Sequence, residues 1–429
     1  MGGVVHRIVA VVLALACATP QAALAQEPGS TRQVSIDDIV ELEAFGRGAV
    51  SPDGRWAVYE KRGAYDTAPR FDLAARSPWT IMDLWLVDLS TPGTAPVRLL
   101  PKEGPGLQLV AWSPDGDRLL ISRLQGDDYE YGVVRLADRS VIWTGLTPET
   151  PPEGASAEWA SAREVVLLTR PDRTLPVLIR RSSGTQARMA EAWRRSALGR
   201  EPSRTIIDSR DGLVRSEIPD PGQALVSLDV ETGHQRRLAQ GRISDFAVAP
   251  DGGAVAVVEA SDRPFVRGAP RVQLEGDDRQ RLVLVGLNGD RRSAMADDWD
   301  VASNLLRWSP DSRAILVWAR REGADWTAGS LLAVGFDRVE LPDLGDLTPG
   351  SAQAIVAGVR ADWLGDAPVI YARTKDGVRF DWSLLGAGAP KALTTALTAP
   401  PSRLAATSTE ALLWVSDGAV WRVRSGGAA

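Results

Sequence analysis

The chain has 429 residues, a formal net charge of −6 and 44% hydrophobic residues. A mildly acidic chain without basic clusters is poorly suited to binding nucleic acid. The single cysteine, Cys17, excludes a disulfide framework and a thiolate metal cluster within the chain. Length alone would suggest two or three domains, but an internal repeat overrides that expectation.

Residues 1–25 have the three-part layout of a secretory signal peptide. Arg7 precedes an apolar run at 8–16, and small residues at 23–25 favour cleavage after position 25. The run is shorter than the roughly 20 apolar residues that a bilayer span needs. The residues before Cys17 make a poor lipobox, so a lipoprotein is not expected. We predict an exported, periplasmic protein with no membrane span.

One phrase recurs along the mature chain, Ser-Pro-Asp-Gly or a close variant, followed by an apolar stretch. The prolines of its four clear copies are Pro52, Pro114, Pro250 and Pro310. This residue order favours a type I turn, because proline presets φ, serine caps locally and glycine closes the turn. Short apolar stretches on both sides predict strands packed on two faces. A second strand pair usually follows, which gives four strands per unit, the composition of a propeller blade.

Degenerate copies begin near Trp159, Trp363 and Leu404 and raise the total to about seven units. We therefore predict an all-β fold over residues 45–424, an approximately seven-bladed β-propeller of four-stranded blades with one helical insertion. A β-sandwich is the alternative, but it would not repeat the same turn chemistry. Four tryptophans occupy one equivalent blade position and predict core packing rather than a carbohydrate platform: Trp112, Trp159, Trp308 and Trp363.

Two blades depart from the pattern. The first contains a long inner loop at residues 61–78, and the third contains an insertion at residues 174–222. Loops this long inside a compact fold are often functional.

The third-blade insertion contains a predicted helix that Thr185 caps and Gly199 ends. Met189, Trp193 and Ala197 share one of its faces. The simpler interpretation is a helix packed on the rim of the propeller. The alternative is an insertion that lines the route to a partner domain or a substrate.

No catalytic, metal-binding or cofactor-binding residue is predicted. His234 is the only histidine of the mature chain, and we expect it in a solvated turn between two outer strands. No G-x-S-x-G motif and no His or Cys cluster occurs. The paired carboxylates and arginines are interpreted as solvated loop charges: Asp37-Asp38, Asp127-Asp128, Asp277-Asp278, Asp297-Asp298, Arg194-Arg195 and Arg291-Arg292. The substrate-binding residues are not identified by the sequence.

The repeated phrase resembles the blades of TolB-type propellers and of prolyl oligopeptidase-like serine peptidases. The lead-in within residues 26–44, with VSIDDIVEL at 34–42, resembles the start of the dipeptidyl and acylaminoacyl branch of those peptidases. DLWLVDL at 83–89 and QARMAEAW at 186–193 resemble lasso peptide isopeptidases in particular. Those enzymes open the isopeptide ring bond of threaded peptides.

The resemblance implies a propeller that gates and shapes a peptide substrate for a serine hydrolase. Members of the family continue into an α/β-hydrolase domain, whereas this sequence ends in a small-residue tail at 425–429, so we expect the chain to be inactive alone. The expected partners are a peptide substrate, which could be a lasso peptide, and the missing hydrolase domain. The alternative is a stand-alone TolB-like periplasmic propeller that binds a protein or peptide. A propeller enzyme with carboxylate chemistry is disfavoured because no acidic constellation is present.

Overall fold

The computed structural model describes residues 33–151, 154–200, 222–264, 278–288, 292–296, 298–303, 305–321, 324–350, 359–407 and 410–424. Seven antiparallel sheets follow one another along these residues. The prediction of an all-β propeller with about seven blades is confirmed. The predicted signal peptide lies outside the described residues.

The first three sheets are preceded by a short helix, α1 (Ile36–Val40), which Ser35 caps. Sheet 1 contains β1 (Ala44–Val50), β2 (Trp56–Arg62), β3 (Met82–Asp88) and β4 (Val97–Arg98). Sheet 2 contains β5 (Leu107–Trp112), β6 (Arg118–Gln125), β7 (Asp128–Arg135) and β8 (Ser140–Trp143). Sheet 3 contains β9 (Ala157–Trp159), β10 (Glu164–Thr169), β11 (Gln223–Asp229) and β12 (Gln235–Gly241), with helix α2 (Val177–Ala197) inserted between β10 and β11.

The remaining four sheets repeat the arrangement. Sheet 4 contains β13 (Ile243–Val248), β14 (Ala254–Pro264), β15 (Asp278–Gly286) and β16 (Arg292–Ala294). Sheet 5 contains β17 (Trp299–Val301), β18 (Arg307–Trp308), β19 (Ile315–Arg321), β20 (Ser330–Val334) and β21 (Val339–Glu340). Sheet 6 contains β22 (Leu347–Pro349), β23 (Ala361–Leu364), β24 (Ala367–Thr374), β25 (Asp381–Leu384) and β26 (Lys391–Ala392). Within the described residues sheet 7 contains β27 (Ala406–Thr407), β28 (Ala411–Ser416) and β29 (Ala419–Arg424).

Successive side chains in the apolar second strand of a blade pack in turn against the preceding sheet and against the following sheet. In β6, Leu119 and Ile121 pack into the core shared with sheet 1, whereas Leu120 packs into the core shared with sheet 3. Sheets 3 to 6 use the same period of two, because successive side chains of a strand point to opposite faces. The predicted strands with two buried faces are confirmed.

The Ser-Pro-Asp-Gly phrase forms the turn between the first and second strands, as predicted. In sheet 2 the Gly116 N–H donates to the Ser113 carbonyl at 3.0 Å, and the Ser113 hydroxyl accepts from the Arg118 N–H at 2.9 Å. Gly116 has a φ of +77°, in the left-handed region where a side chain is strained. The backbone therefore favours glycine at the end of the phrase, although the fourth copy has Ser312 there with a φ of +60°.

The four equivalent tryptophans connect neighbouring sheets. Each indole Nε1 donates to a backbone carbonyl of the preceding sheet, with donor–acceptor distances of 3.3 Å for Trp112, 3.4 Å for Trp159, 2.9 Å for Trp308 and 2.8 Å for Trp363. The predicted core role of these residues is confirmed. A hydrogen bond between sheets accompanies their packing.

The junction between sheets 3 and 4 lacks this tryptophan, since Val248 occupies the position. The Glu158 carboxylate accepts the Val248 N–H at 2.7 Å, and the Asp245 carboxylate accepts the Ala155 N–H at 2.9 Å. Burial, followed by the nearby charge of Asp245, raises the pKa of Glu158 to about 7 despite the Val248 hydrogen bond and the charge of Arg307. Two acidic side chains thus replace the indole at this junction.

The helical insertion differs from the prediction at its start. Helix α2 begins at Val177 after Pro176, eight residues before Thr185, and ends before Gly199, which has a φ of +63°. Its early start is stabilised by tertiary contacts, because Ile179 is fully buried. The rest of the predicted insertion, residues 201–221, lies outside the described residues.

The indole hydrogen bonds can be tested with Trp308→Phe, which keeps an aromatic ring but removes the donor to Ala247. We expect the free energy of unfolding to fall by about 1 kcal/mol, the typical net contribution of a hydrogen bond. Urea unfolding measures the change. Trp193→Phe is the control, because Trp193 is 74% exposed on α2 and should change stability by less than about 0.5 kcal/mol. Equal effects of both substitutions would contradict the role of the indole N–H.

The pKa of Glu158 predicts a pH-dependent stability. Between pH 4.5, the ordinary value, and about 7, the folded protein holds a proton that the unfolded chain has released. The free energy of unfolding should therefore fall as pH rises, by at most about 1.4 kcal/mol per pH unit. Urea midpoints of the wild type and Glu158→Gln measure this, and the variant should gain relative stability from pH 5 to pH 8. An unchanged difference between the two proteins would exclude the effect.

Candidate functional site

The long connections of the propeller emerge at one edge, which we call the insertion face. In an antiparallel blade, the link between the second and third strands and the link to the next blade leave from the same edge. Residues 63–81, 144–151 and 170–200 therefore lie together at the insertion face. The opposite edge carries the short Ser-Pro-Asp-Gly turns.

The insertions of the first and third blades pack on each other at this face. Leu73 of the first insertion joins Leu124 and Tyr129 of sheet 2 and Leu175 and Ile179 of the third insertion in one buried cluster. The loop at 61–78 predicted from the sequence thus takes part in a shared structure. Its last turns form a 3₁₀ helix, Ala74–Ile81.

A buried ion pair anchors the third insertion. The Arg170 guanidinium, fully buried, donates to the Glu149 carboxylate at 2.9 Å, to Asp172 at 3.3 Å and to the Thr174 hydroxyl at 3.2 Å. Glu149 lies on the connection from sheet 2 to sheet 3, so the pair ties the insertion to that connection. Charges this deeply buried are stable only when they are paired and hydrogen-bonded.

A polar cavity of about 190 Å³ opens among sheets 1, 2 and 3, next to the two insertions. Its walls include Arg47 and Glu60 from sheet 1 and Gln108 from sheet 2, and Trp79 and Thr150 come from the connections at the insertion face. The volume is that of one amino-acid side chain or a small terminal group. The cavity can therefore take part of a peptide but not a folded domain.

Hydrogen bonds order the floor of the cavity. The Gln108 amide donates to the Trp79 carbonyl at 2.9 Å, and the Ser122 hydroxyl donates to the Gln108 carbonyl oxygen at 3.1 Å. Tyr129 stands 3.3 Å from the Ser122 hydroxyl, and burial raises its pKa to about 12. Burial also raises the pKa of Tyr131 well above its ordinary value. Both phenols are hydrogen-bond donors at neutral pH.

The sequence did not identify any of these cavity residues. Their types are ordinary, and they come from separate strands and loops that only the packing of three blades brings together. The two long loops were the one signal that pointed to this side of the molecule.

The residues that were weighed from the sequence as possible catalytic or metal-binding groups do not line the cavity. His234 is exposed in the turn between β11 and β12, and its imidazole forms no hydrogen bond with any described residue. Within the described ranges, no group of three or more His, Cys, Asp or Glu side chains is arranged to hold a metal ion. No described helix is both long and apolar enough to cross a bilayer.

The paired charges have local roles. Asp38 completes the cap of α1, and Glu191 binds Arg194 and Arg195 along α2. Asp127 pairs with Arg70 at 2.6 Å, which connects the first insertion to sheet 2. Asp277, Asp297 and Arg291 lie outside the described residues.

The predicted apolar face of α2 is exposed. Met189 is 54% exposed, Trp193 is 74% exposed and Ala197 is also exposed. The interpretation of a helix packed on the rim holds for the first turns of α2, where Ile179 joins the buried cluster, but not for the face of Met189 and Trp193. The second half of α2 projects from the insertion face.

Sheet topology and repeated turns define the molecule as a β-propeller. No family model matches the sequence, and no curated protein is similar to it. Several solved structures are similar to it in shape. An acylaminoacyl peptidase from Pyrococcus horikoshii has 11% identity and a TM-score of 0.42, over 90% of this chain and 53% of that one. The chain therefore spans about half the length of that peptidase.

Two further solved structures are also similar to this chain in shape. The β-propeller domain of the Trilobed protease from Pyrococcus furiosus has 10% identity and a TM-score of 0.42, over 89% of this chain and 97% of that domain. TolB from Acinetobacter baumannii has 13% identity and a TM-score of 0.29, over 81% of this chain and 65% of that one. Likenesses at this level carry no argument about activity, and the propeller assignment rests on the seven sheets themselves.

The buried pair can be tested with Arg170→Met, which leaves the Glu149 carboxylate without its main partner. We expect a loss of about 3–5 kcal/mol in the free energy of unfolding, because an uncompensated buried charge remains. Arg194→Met is the control, since the Arg194–Glu191 pair is exposed on α2 and should contribute no more than about 0.5 kcal/mol. Thermal and urea unfolding measure both variants. Similar losses in both would show that burial of Arg170 is unimportant.

Proposed function

We propose that this chain is the substrate-gating propeller of a prolyl oligopeptidase-like serine peptidase, and specifically of a lasso peptide isopeptidase. The nucleophile, histidine and aspartate would come from an α/β-hydrolase segment that this sequence does not contain. The proposal also includes export to the periplasm, which the signal-peptide pattern of residues 1–25 supports.

The observation that supports this proposal best is the position of both insertions beside one cavity. The first and third blades carry their extra residues at the same edge, where they pack together through Leu73 and Ile179. A gating surface needs parts that select by shape, and inserted loops on a rigid scaffold are the usual way to provide them. The cavity beside them is small and polar, which suits one group of a compact peptide.

The chemistry of the described residues agrees with a role in binding rather than in bond cleavage. The imidazole of the exposed His234 has no hydrogen bond to a hydroxyl among the described residues, whereas a serine triad requires a histidine held against its nucleophile. We therefore expect no hydrolysis by this chain alone.

The second candidate function is a stand-alone TolB-like propeller that docks a protein or peptide partner. The exposed apolar side chains of α2, Met189, Trp193 and Leu198, favour this alternative. Exposed apolar groups on a projecting helix are typical of docking surfaces. The two functions differ in the surface that binds the peptide, which is the cavity in the first and the exposed face of α2 in the second.

The test uses the 429-residue chain with a purified lasso peptide and with a linear peptide of the same sequence. Calorimetry measures binding, and mass spectrometry measures cleavage. We expect binding without cleavage, and we expect Trp79→Leu at the cavity to weaken binding by about 2 kcal/mol, the size of an interface hot spot. Trp193→Leu on α2 should leave the affinity unchanged.

Each other outcome has a definite meaning. Cleavage by the chain alone would refute the assignment of catalysis to another segment. Loss of binding in Trp193→Leu with full binding in Trp79→Leu would favour the docking alternative. Unfolding curves of both variants show whether a loss of binding comes from a loss of structure.

A further inference from the structure

The carboxylate of Glu60, which lines the cavity, is held by hydrogen bonds from sheets 1 and 2. Its Oε1 accepts from Arg47 Nη2 at 3.0 Å, from Arg47 Nε at 3.3 Å and from the Leu109 N–H at 2.9 Å. Its Oε2 accepts the Arg47 N–H at 2.8 Å. Glu60 therefore links the two sheets, and most of its acceptor capacity is used within the protein.

Glu149, the other acid that lines the cavity, accepts one hydrogen bond on each oxygen. One oxygen accepts from Arg170 Nη1 at 2.9 Å, and the other accepts the Thr150 N–H at 2.9 Å. The fully buried Arg170 guanidinium pairs with Glu149 and also with Asp172. Glu149 is therefore fixed in a buried ion-pair network beside the cavity.

Two side chains of the cavity wall have unused hydrogen-bond donors. The Thr150 hydroxyl is buried and has no hydrogen-bond partner in the described part of the chain. Arg47 turns its Nε and Nη2 toward Glu60, whereas no described residue bonds its Nη1, and its side chain is 62% exposed. A buried hydroxyl without a partner is unfavourable, so a ligand acceptor at this point would be stabilised.

A further positively charged side chain, Arg76, lies next to Trp79 in the wall of the cavity. The Arg76 guanidinium lies over the Trp79 ring, 5.1 Å from its centroid, and its buried Nε has no hydrogen-bond partner among the described residues. The charges of Arg47 and Arg76 lower the pKa of Tyr129 and oppose the larger effect of burial, whereas the charge of Glu60 raises that pKa.

We propose that the cavity between sheets 1, 2 and 3 is a subsite for a carboxylate of the bound peptide, with Arg47 Nη1 and the Thr150 hydroxyl as donors. This inference rests on the proposed peptide-binding function. The group that fits is a side-chain carboxylate of Asp or Glu or a C-terminal carboxylate. Guanidinium and hydroxyl donors together recognise both oxygens of such a group.

The probes are three tripeptides measured with the 429-residue chain by ligand-detected NMR titration. They are N-acetyl-Ala-Glu-Ala-amide, N-acetyl-Ala-Gln-Ala-amide and N-acetyl-Ala-Gln-Ala with a free C-terminal carboxylate. We expect the Glu peptide to bind about tenfold more tightly than its Gln counterpart, because it gains charge-assisted hydrogen bonds. The third peptide shows whether a terminal carboxylate has the same preference.

The main variant is Thr150→Val, which keeps the shape of the side chain and removes only an unpartnered hydroxyl. It should reduce the preference for Glu severalfold without lowering Tm. Arg47→Gln should abolish the preference. Thr407→Val in sheet 7 and Arg98→Gln, which loses an ion pair to Asp83 on the outer part of sheet 1, are the matched controls and should keep it.

The outcomes separate the two proposals. Equal affinities for the Glu and Gln peptides would overturn the carboxylate subsite and leave peptide binding intact. A Glu preference that persists in both Thr150→Val and Arg47→Gln would place the carboxylate elsewhere and also overturn it. Binding of none of the three peptides, together with no binding of the lasso peptide, would overturn the proposed function itself.

Discussion

The second strands of sheets 2 to 6 have buried apolar side chains on both faces, and such a sheet cannot be stable alone. Leu119 and Ile121 need sheet 1, and Leu120 needs sheet 3. Stability therefore comes from the interfaces between successive sheets, as in other repeat architectures where each unit contacts its neighbours. The indole hydrogen bonds of the four equivalent tryptophans lie at these same interfaces.

The packing of each sheet between two neighbours also determines where the chain can carry insertions. The strands are enclosed on two sides, so extra residues fit only at the edges, where the chain already turns. Both insertions of sheets 1 and 3 occur in the link between the second and third strands, and they lie at one edge. The buried pair of Arg170 and Glu149 then fixes one insertion to its neighbouring connection. A rigid scaffold thus positions the loops that form the candidate site.

Charged residues divide into two groups by their hydrogen bonds. Glu60, Glu149 and Glu158 are enclosed between sheets, and each accepts backbone N–H groups or a guanidinium. These bonds compensate for the cost of removing a carboxylate from water. Arg47 and Thr150 instead retain donors without an acceptor on the wall of the cavity. The contrast separates groups that stabilise the fold from groups that can bind a ligand.

The sequence by itself determined the repeated blade, because turn chemistry and strand periodicity are local properties. It also determined the equivalence of the tryptophans and the positions of the two long loops. The start of α2 was missed, since burial of Ile179 extends the helix beyond the signal of Thr185. Only the tertiary structure determined the cavity, because Glu60, Gln108 and Thr150 are far apart in the chain and belong to sheet 1, sheet 2 and a connection between sheets. Contacts between such residues leave no periodic pattern, so they can be found only once the sheets are packed together.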